Sequence, residues 1–200
     1  VYGDKYKKKA IRTGDLFYPE TLKEHLKDLV EYNNLLVTGV YHAEPIKYEE
    51  MLEWLEKYGG FFKDYIVDTG VYLTEQLNQG KRIMFEAQLG ALRDIDYGIY
   101  PYTSSSSTIA SYGPIGAGIP GVKLDRTVGI MKAYSSCVGE GPFTVEMFGE
   151  EADALRTAGG EFGAATGRPR RVGAFDVVAS KYGVRVQGAD EIAFTKLDIL

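Results

Sequence analysis

Cysteine occurs once, at Cys137, and histidine twice, at His25 and His42, in a chain of 200 residues. A lone cysteine excludes an internal disulfide, and with no secretory signal the expected setting is the reducing cytoplasm. The two histidines lie in or beside a helical stretch, so no Ser/His/Asp or Cys/His set and no zinc-ligand spacing can be drawn. Apolar runs such as 34–40 and 82–85 fall far below the ~20 residues that cross a bilayer, which leaves no membrane role. No Gly-Lys-Ser/Thr closes a glycine loop, so there is no Walker P-loop, and neither an internal repeat nor a coiled-coil heptad is visible. Positive charge is also scarce: 23 basic against 28 acidic residues give a net charge of −5, which argues against holding nucleic acid by bulk electrostatics.

Apolar residues make up 44% of the chain, enough to bury one sizeable core. Between 20 and 80 the period is helical. Leu22, Leu26, Leu29 and Val30 share one face, as do Tyr48, Met51, Leu52, Leu55 and Tyr58. Thr21 with Glu24 fits a capping box, Gly59-Gly60 reads as a helix stop, and Asp68-Thr69 opens a third helix. After Gly80 come short β-rich runs, 82–86 and 127–134, separated by long Gly/Ser/Pro loops. A helix over 174–187, with Phe175, Val178, Ala179, Tyr182 and Val186 on one face, then leads to a strand at 191–194 within an apolar run that reads as buried. Strand, loop, helix, strand is the order of an α/β sheet with ligand loops at strand ends. The expected division is a basic N-terminal arm with a helical lobe (1–80) and an α/β nucleotide- and substrate-binding part (81–200). The chain opens on Val1 and stops at Leu200 directly after the apolar run, so both ends read as cut.

Four clusters could carry chemistry. The segment 160–176 sets Arg168, Arg170 and Arg171 against a glycine-rich turn. Glycine lets backbone N–H groups approach a ligand, and arginine offers a rigid fork of donors matched to carboxylate or phosphate; the alternative is a solvated basic turn. In Thr195-Lys-Leu-Asp198, Lys196 and Asp198 would face the same way in an extended segment. There a carboxylate can accept from the N1–H and 2-amino group of guanine while the lysine stem covers the ring; the alternative is a charged strand end. The turn 94–108 offers Ser104 to Ser107, hydroxyls and free N–H groups suited to phosphate, with Tyr97, Tyr100, Pro101 and Tyr102 arguing against a floppy linker. Within it, Asp94 and Asp96 alternate as turn-capping acids and are not taken as catalytic. The last cluster, Asp4-Lys-Tyr-Lys-Lys-Lys9 with Arg12, is a solvated basic run or an arm reaching for phosphate.

Taken in order, Tyr2-Gly-Asp-Lys5, Arg12-Thr-Gly-Asp-Leu16, Phe85-Glu86, Asp94-Ile-Asp-Tyr-Gly-Ile-Tyr-Pro-Tyr102, Lys132-Ala-Tyr134, Val138-Gly-Glu-Gly-Pro-Phe143, Glu161-Phe-Gly163, Thr166-Gly-Arg-Pro-Arg-Arg171 and Thr195-Lys-Leu-Asp198 resemble the adenylosuccinate synthetase family from one end of the chain to the other. That family uses GTP and Mg2+ to phosphorylate the 6-oxygen of IMP, then lets L-aspartate displace the phosphate to give adenylosuccinate, GDP and phosphate. The resemblance implies an α/β fold with a mostly parallel sheet of the synthetase type and a helical lobe, truncated at both ends. It implies IMP contacts at Lys8, Gln88, Leu89, Ser104, Val138 and Arg168, with Ser104 on the phosphate and the Val138 backbone on the ribose. Ala164, Ala165, Thr166, Gly167, Arg168, Pro169 and Arg170 would form the aspartate loop. Arg170, Lys196, Leu197 and Asp198 would serve GTP.

The chain departs from the family in places. The usual Phe-Glu-Gly-Ala-Gln-Gly is here Phe85-Glu-Ala-Gln-Leu-Gly90, which shifts the glutamine to Gln88 and puts Leu89 in its position. Lys8 stands where an arginine reaches the IMP phosphate of the neighbouring subunit, which implies a homodimer with a basic arm. Ala165 and Ser104 each stand where threonine is expected. The family's Gly-Asp-Glu-Gly-Lys-Gly-Lys loop, with its catalytic aspartate and Mg2+ contacts, and the catalytic histidine should precede Val1. A final guanine-side segment should follow Leu200. The expectation is therefore a fragment with substrate walls, no catalytic or metal-binding residue of its own, and no turnover alone. The competing readings are a non-catalytic guanine-nucleotide-binding module and a synthetase variant acting on a different purine nucleotide.

Overall fold

The computed structural model describes residues 2–87 and 89–199. Two compact units emerge, Val1–Tyr72 and Leu73–Leu200.

The first unit is helical. Helix α1 (Tyr2–Tyr6) and a 3-10 turn (Thr13–Phe17) precede α2 (Pro19–Gly39) and α3 (Tyr48–Phe62). The face expected from the period-3.6 pattern is the buried one: Leu22, Leu26, Leu29 and Val30 are each at most 9% exposed, and each contributes about 1.5–3 kcal/mol of burial. The capping box at Thr21 is not used. Helix α2 begins two residues earlier at Pro19, whose fixed φ and missing N–H suit a first helical position. Nor do Gly59-Gly60 stop α3, which continues to Phe62. Gly59 is buried because a Cβ there would sit 2.7 Å from Leu16 Cδ2, so the glycine serves close approach and not termination. The loop between α2 and α3 is closed by Asn34, whose side chain donates to Ile46 O (2.9 Å) and accepts from Ile46 N (2.7 Å).

Helix α4 (Thr69–Asn78) carries the boundary between the units and opens as expected, with the Asp68 carboxylate accepting from Val71 N at 3.1 Å. The second unit follows with a 3-10 turn (Ala91–Arg93), α5 (Tyr112–Gly116), β1 (Val128–Lys132), β2 (Ser135–Cys137), α6 (Gly149–Gly159), β3 (Arg171–Gly173), α7 (Val177–Gln187) and β4 (Glu191–Thr195). The fold is α/β. Strands β1 and β4 pair in parallel, Val128 opposite Glu191 and Lys132 opposite Thr195, while β2 and β3 pair antiparallel, Ser135 opposite Gly173.

Three expectations are corrected here. The run 82–86 has β-rich composition but joins no ladder among the described residues, because propensity makes a strand only where a partner strand supplies hydrogen bonds. Strand β4 forms where expected, yet all five of its residues are exposed, since its described sheet has two strands. Helix α7 starts three residues late because Asp176 caps it, accepting from Ala179 N at 2.9 Å; Val178 then points to solvent, 80% exposed.

Candidate functional site

The glycine-rich segment folds as a hairpin between α6 and β3. Helix α6 ends on Gly160 in the left-handed region (φ 65°), which turns the chain back at Glu161. Phe162 and Pro169 bridge across the hairpin, Gly163 N donates to Arg168 O at 2.8 Å, and Gly167 N donates to Gly163 O at 2.8 Å with Gly167 at φ 65°. Ala164, Ala165, Thr166, Gly167, Arg168 and Pro169 form the exposed tip.

The base of the hairpin is held by a carboxylate. Glu161 is 1% exposed and accepts from Lys132 Nζ (2.6 Å), Tyr134 hydroxyl (2.5 Å) and Arg170 Nη1 (3.0 Å). Burial alone would push the Glu161 carboxyl upward, but the hydrogen bonds from Lys132 and Tyr134 outweigh it and hold the group below the usual glutamate range. Tyr134 moves the other way. Burial, and then the hydrogen bond to Glu161, raises its phenol far above the ordinary tyrosine value, so it remains a donor. A buried carboxylate without such partners would cost several kcal/mol, which is why three donors converge.

The three arginines, grouped in sequence as one anion clamp, therefore divide. Arg170 is bound to Glu161, and its backbone carbonyl takes Arg156 Nε at 2.9 Å. Arg171 grips Glu146 with two nitrogens (2.7 and 2.5 Å), donates to Gly139 O and Gly141 O at 3.1 and 2.9 Å, and stacks over Phe143. Only the Arg168 guanidinium has no hydrogen-bond or ion-pair partner among the described residues. A fork of donors left open at the tip of a hairpin can take a carboxylate or phosphate without first breaking an internal pair.

The end of β4 meets this hub. Lys196 Nζ donates to Gly159 O at 3.1 Å, just before Glu161. The extended geometry expected for Lys196 and Asp198 is not present. Lys196 takes φ 61° and Ile199 N returns to Lys196 O at 3.3 Å, a turn that leaves Leu197 and Asp198 exposed.

The serine turn is built around Asp94, fully buried, which accepts from Asp96 N (2.9 Å), Tyr97 N (2.9 Å), Thr108 N (2.6 Å) and the Ser107 hydroxyl (3.4 Å). Asp94 caps the turn, as read from sequence, but from inside and not as a solvated group. Ser104 is half-buried. Its hydroxyl donates to Ser106 O (3.1 Å) and its N–H to Arg93 O (2.7 Å). Val138 is exposed on the far loop, with its carbonyl accepting from Arg93 at 3.1 Å. Leu89, 55% exposed, holds φ 79° next to Gly90 at φ 86°, a backbone that a leucine adopts only at a cost. Gln88 lies outside the described residues. Lys8, exposed at φ 59°, belongs to the first unit, where its N–H closes the end of α1 on Lys5 O. Among the described residues no three His, Cys, Asp or Glu side chains converge as a metal-ligand cluster.

Sequence reasoning missed the roles of Glu161 and Arg93. For Glu161 the signal was available: the one acid within 160–171, beside three arginines, must be paired if it is buried. Arg93 carried none, because the second loop that its guanidinium reaches, at Cys137, Val138 and Glu140, lies more than forty residues away.

Over residues 1–200 the chain matches the family described as adenylosuccinate synthetase. The adenylosuccinate synthetase of Pelotomaculum thermopropionicum is 45% identical over 200 residues, covering 100% of this chain and 47% of that protein. The Synechococcus sp. enzyme of the same name is 42% identical, covering 100% and 44%. The solved structure of fully ligated adenylosuccinate synthetase from Plasmodium falciparum superposes with a TM-score of 0.91 at 33% identity, covering 100% of this chain and 46% of that one. The chain thus spans a little under half the length of the curated relatives it matches. With both sequence family and fold matched from end to end, the chain belongs to the adenylosuccinate synthetase family.

Proposed function

We propose that this chain supplies substrate-binding walls of a GTP-dependent ligase that joins IMP to L-aspartate, forming adenylosuccinate, GDP and phosphate through a 6-phosphoryl-IMP intermediate. The observation that carries the reading is the division of labour in the hairpin: Arg170 and Arg171 are committed to Glu161 and Glu146, and Arg168 stands open at the tip. Arg168 is assigned to the aspartate carboxylate and IMP, with Ala164, Ala165, Thr166, Gly167 and Pro169 forming the loop that presents it. Arg170, held through Nη1 by Glu161, is assigned to the GTP phosphates, and Lys196, Leu197 and Asp198 to guanine. Ser104 takes the IMP phosphate, Val138 its ribose, and Gln88 and Leu89 the purine side.

In the reaction the terminal phosphoryl of GTP passes to O6 of IMP, and the aspartate amine then attacks C6 and expels phosphate. Fixed guanidiniums suit this chemistry, because they meet the charge that develops on the transferred group without reorganising. The acid/base pair and most of the Mg2+ contacts are assigned to the family's glycine-rich loop and histidine, outside residues 1–200. Lys8, on an exposed basic arm, is assigned to the IMP phosphate of a neighbouring subunit in a homodimer. No described helix is long and apolar enough to cross a membrane, and a cytoplasmic location is part of the proposal.

The test is GDP formation by the full-length protein with each substrate omitted in turn. Turnover that requires IMP and aspartate together supports the ligase, whereas GTP hydrolysis indifferent to both would sink it.

A further inference from the structure

Arg93 closes the 3-10 turn Ala91–Arg93 and has no substrate contact in the reading above. Its backbone carbonyl accepts from Ser104 N at 2.7 Å. Its side chain crosses to a different loop. Nη2 donates to Val138 O (3.1 Å) and touches the Cys137 sulfur, while Nη1 donates to Glu140 O (3.3 Å) and to Tyr102 O. No acidic side chain pairs with it among the described residues, so its charge faces carbonyl oxygens and a thiol only. The following residue is Asp94, the buried acid that folds the serine turn.

One residue thus fixes both loops that carry the nucleoside monophosphate contacts: Ser104 through its main chain and Val138 through its guanidinium. A planar fork is the side chain that can do this. Several N–H groups in fixed directions reach carbonyls from two loops at once, whereas a lysine offers a single point of charge. The uncompensated positive charge also favours a dianionic phosphate nearby. We infer that Arg93 is a positioning residue for the IMP site, setting the distance between the phosphate-binding serine turn and the ribose-binding Val138 loop. This rests on the proposed assignment of Ser104 and Val138 to IMP.

The experiment compares the full-length wild type with Arg93→Ala and Arg93→Lys, varying IMP, aspartate and GTP separately. Displacing binding groups by about an ångström costs on the order of 10- to 100-fold. The expected result is a rise of that size in KM for IMP in Arg93→Ala, with KM for GTP and aspartate and kcat nearly unchanged. Arg93→Lys recovers only part of the loss, and added methylguanidinium lowers the IMP KM of Arg93→Ala but not of the wild type. Equal rises for all three substrates, an unchanged IMP KM, or full recovery by lysine would each overturn the role. Should Arg93→Ala fail to fold, Arg93→Lys decides the matter alone, since it keeps the charge and loses the fork. A wild type that turns over without IMP would instead overturn the substrate reading, and the positioning role with it. IMP-dependent wild type with indifferent Arg93 variants overturns only the latter.

Discussion

At the scale of single residues, Glu161 and Arg168 are complementary: one is buried and fully paired, the other is exposed and open. Removing Glu161 strands Lys132, Tyr134 and Arg170 at once. Glu161→Ala is expected to destabilise the full-length protein by about 3 kcal/mol, toward the low end for a broken buried pair because Lys132 and Arg170 are each about one-third exposed. Denaturant melts would check this, with Glu161→Gln costing clearly less because it keeps the shape and some of the hydrogen bonds. Arg168→Leu should leave the fold intact, since no internal partner is lost, and raise KM for aspartate by about 10- to 100-fold with little change for GTP, the size of one lost charge-assisted contact. Equal losses for both substrates would refute the assignment. Which of Arg168, Arg170 and Arg171 is free could not be read from the segment itself, because Glu161 within it does not name its arginine and Glu146, the partner of Arg171, lies 25 residues away from it.

Secondary-structure elements depend here on close backbone approaches and caps more than on propensity. Gly173 in β3 is the stringent case: a Cβ would lie 2.1 Å from the Val145 carbonyl oxygen, a backbone atom that cannot swing aside. Gly59 in α3 meets only the flexible end of Leu16, at 2.7 Å. Gly173→Ala is therefore expected to cost about 3 kcal/mol and Gly59→Ala about 1 kcal/mol, so the order of the two midpoints in urea is the test. Asp176, tied to both Ala179 N and the Thr144 hydroxyl, makes α7 start where it does; Asp176→Ala should cost about 1 kcal/mol. The legible parts of these elements were those with a local cause. The buried stripe of α2 and the Asp68 cap of α4 follow from residues within one or two turns of each other. The passage of α3 through two glycines and the unpaired run 82–86 each turned on a neighbour from elsewhere or on its absence.

Across the whole molecule, carboxylates with lowered pKa values tie segments together: Asp94 the serine turn, Glu146 and Glu161 the two ends of the hairpin's base, Asp176 the entry to α7. For Asp94, burial pushes the pKa up but the N–H groups of Thr108, Tyr97 and Asp96 outweigh it; for Glu146 the Arg171 hydrogen bond leads, and for Asp176 the Ala179 N–H. Because each folded value lies below the unfolded one, the stabilisation is full above the ordinary carboxylate values, 3.8 for Asp and 4.5 for Glu, and is lost as pH falls through the lowered folded values. Thermal melts of the full-length protein should thus be flat from pH 7 to about 5 and fall steeply below about pH 4. Asp94→Asn should lower the melting temperature at pH 7 and flatten the acid limb; an unchanged acid limb would contradict the role given to Asp94. The sequence by itself determined the buried face of α2, the α/β order and, through ordered motifs spread over the chain, the family, because each of these is written in local periods and short runs. Only the tertiary structure decided that Arg168 alone stays open, that Glu161 anchors the hairpin and that Arg93 joins two loops, because a side chain's electrostatic partner is chosen by proximity in space and not by position along the chain.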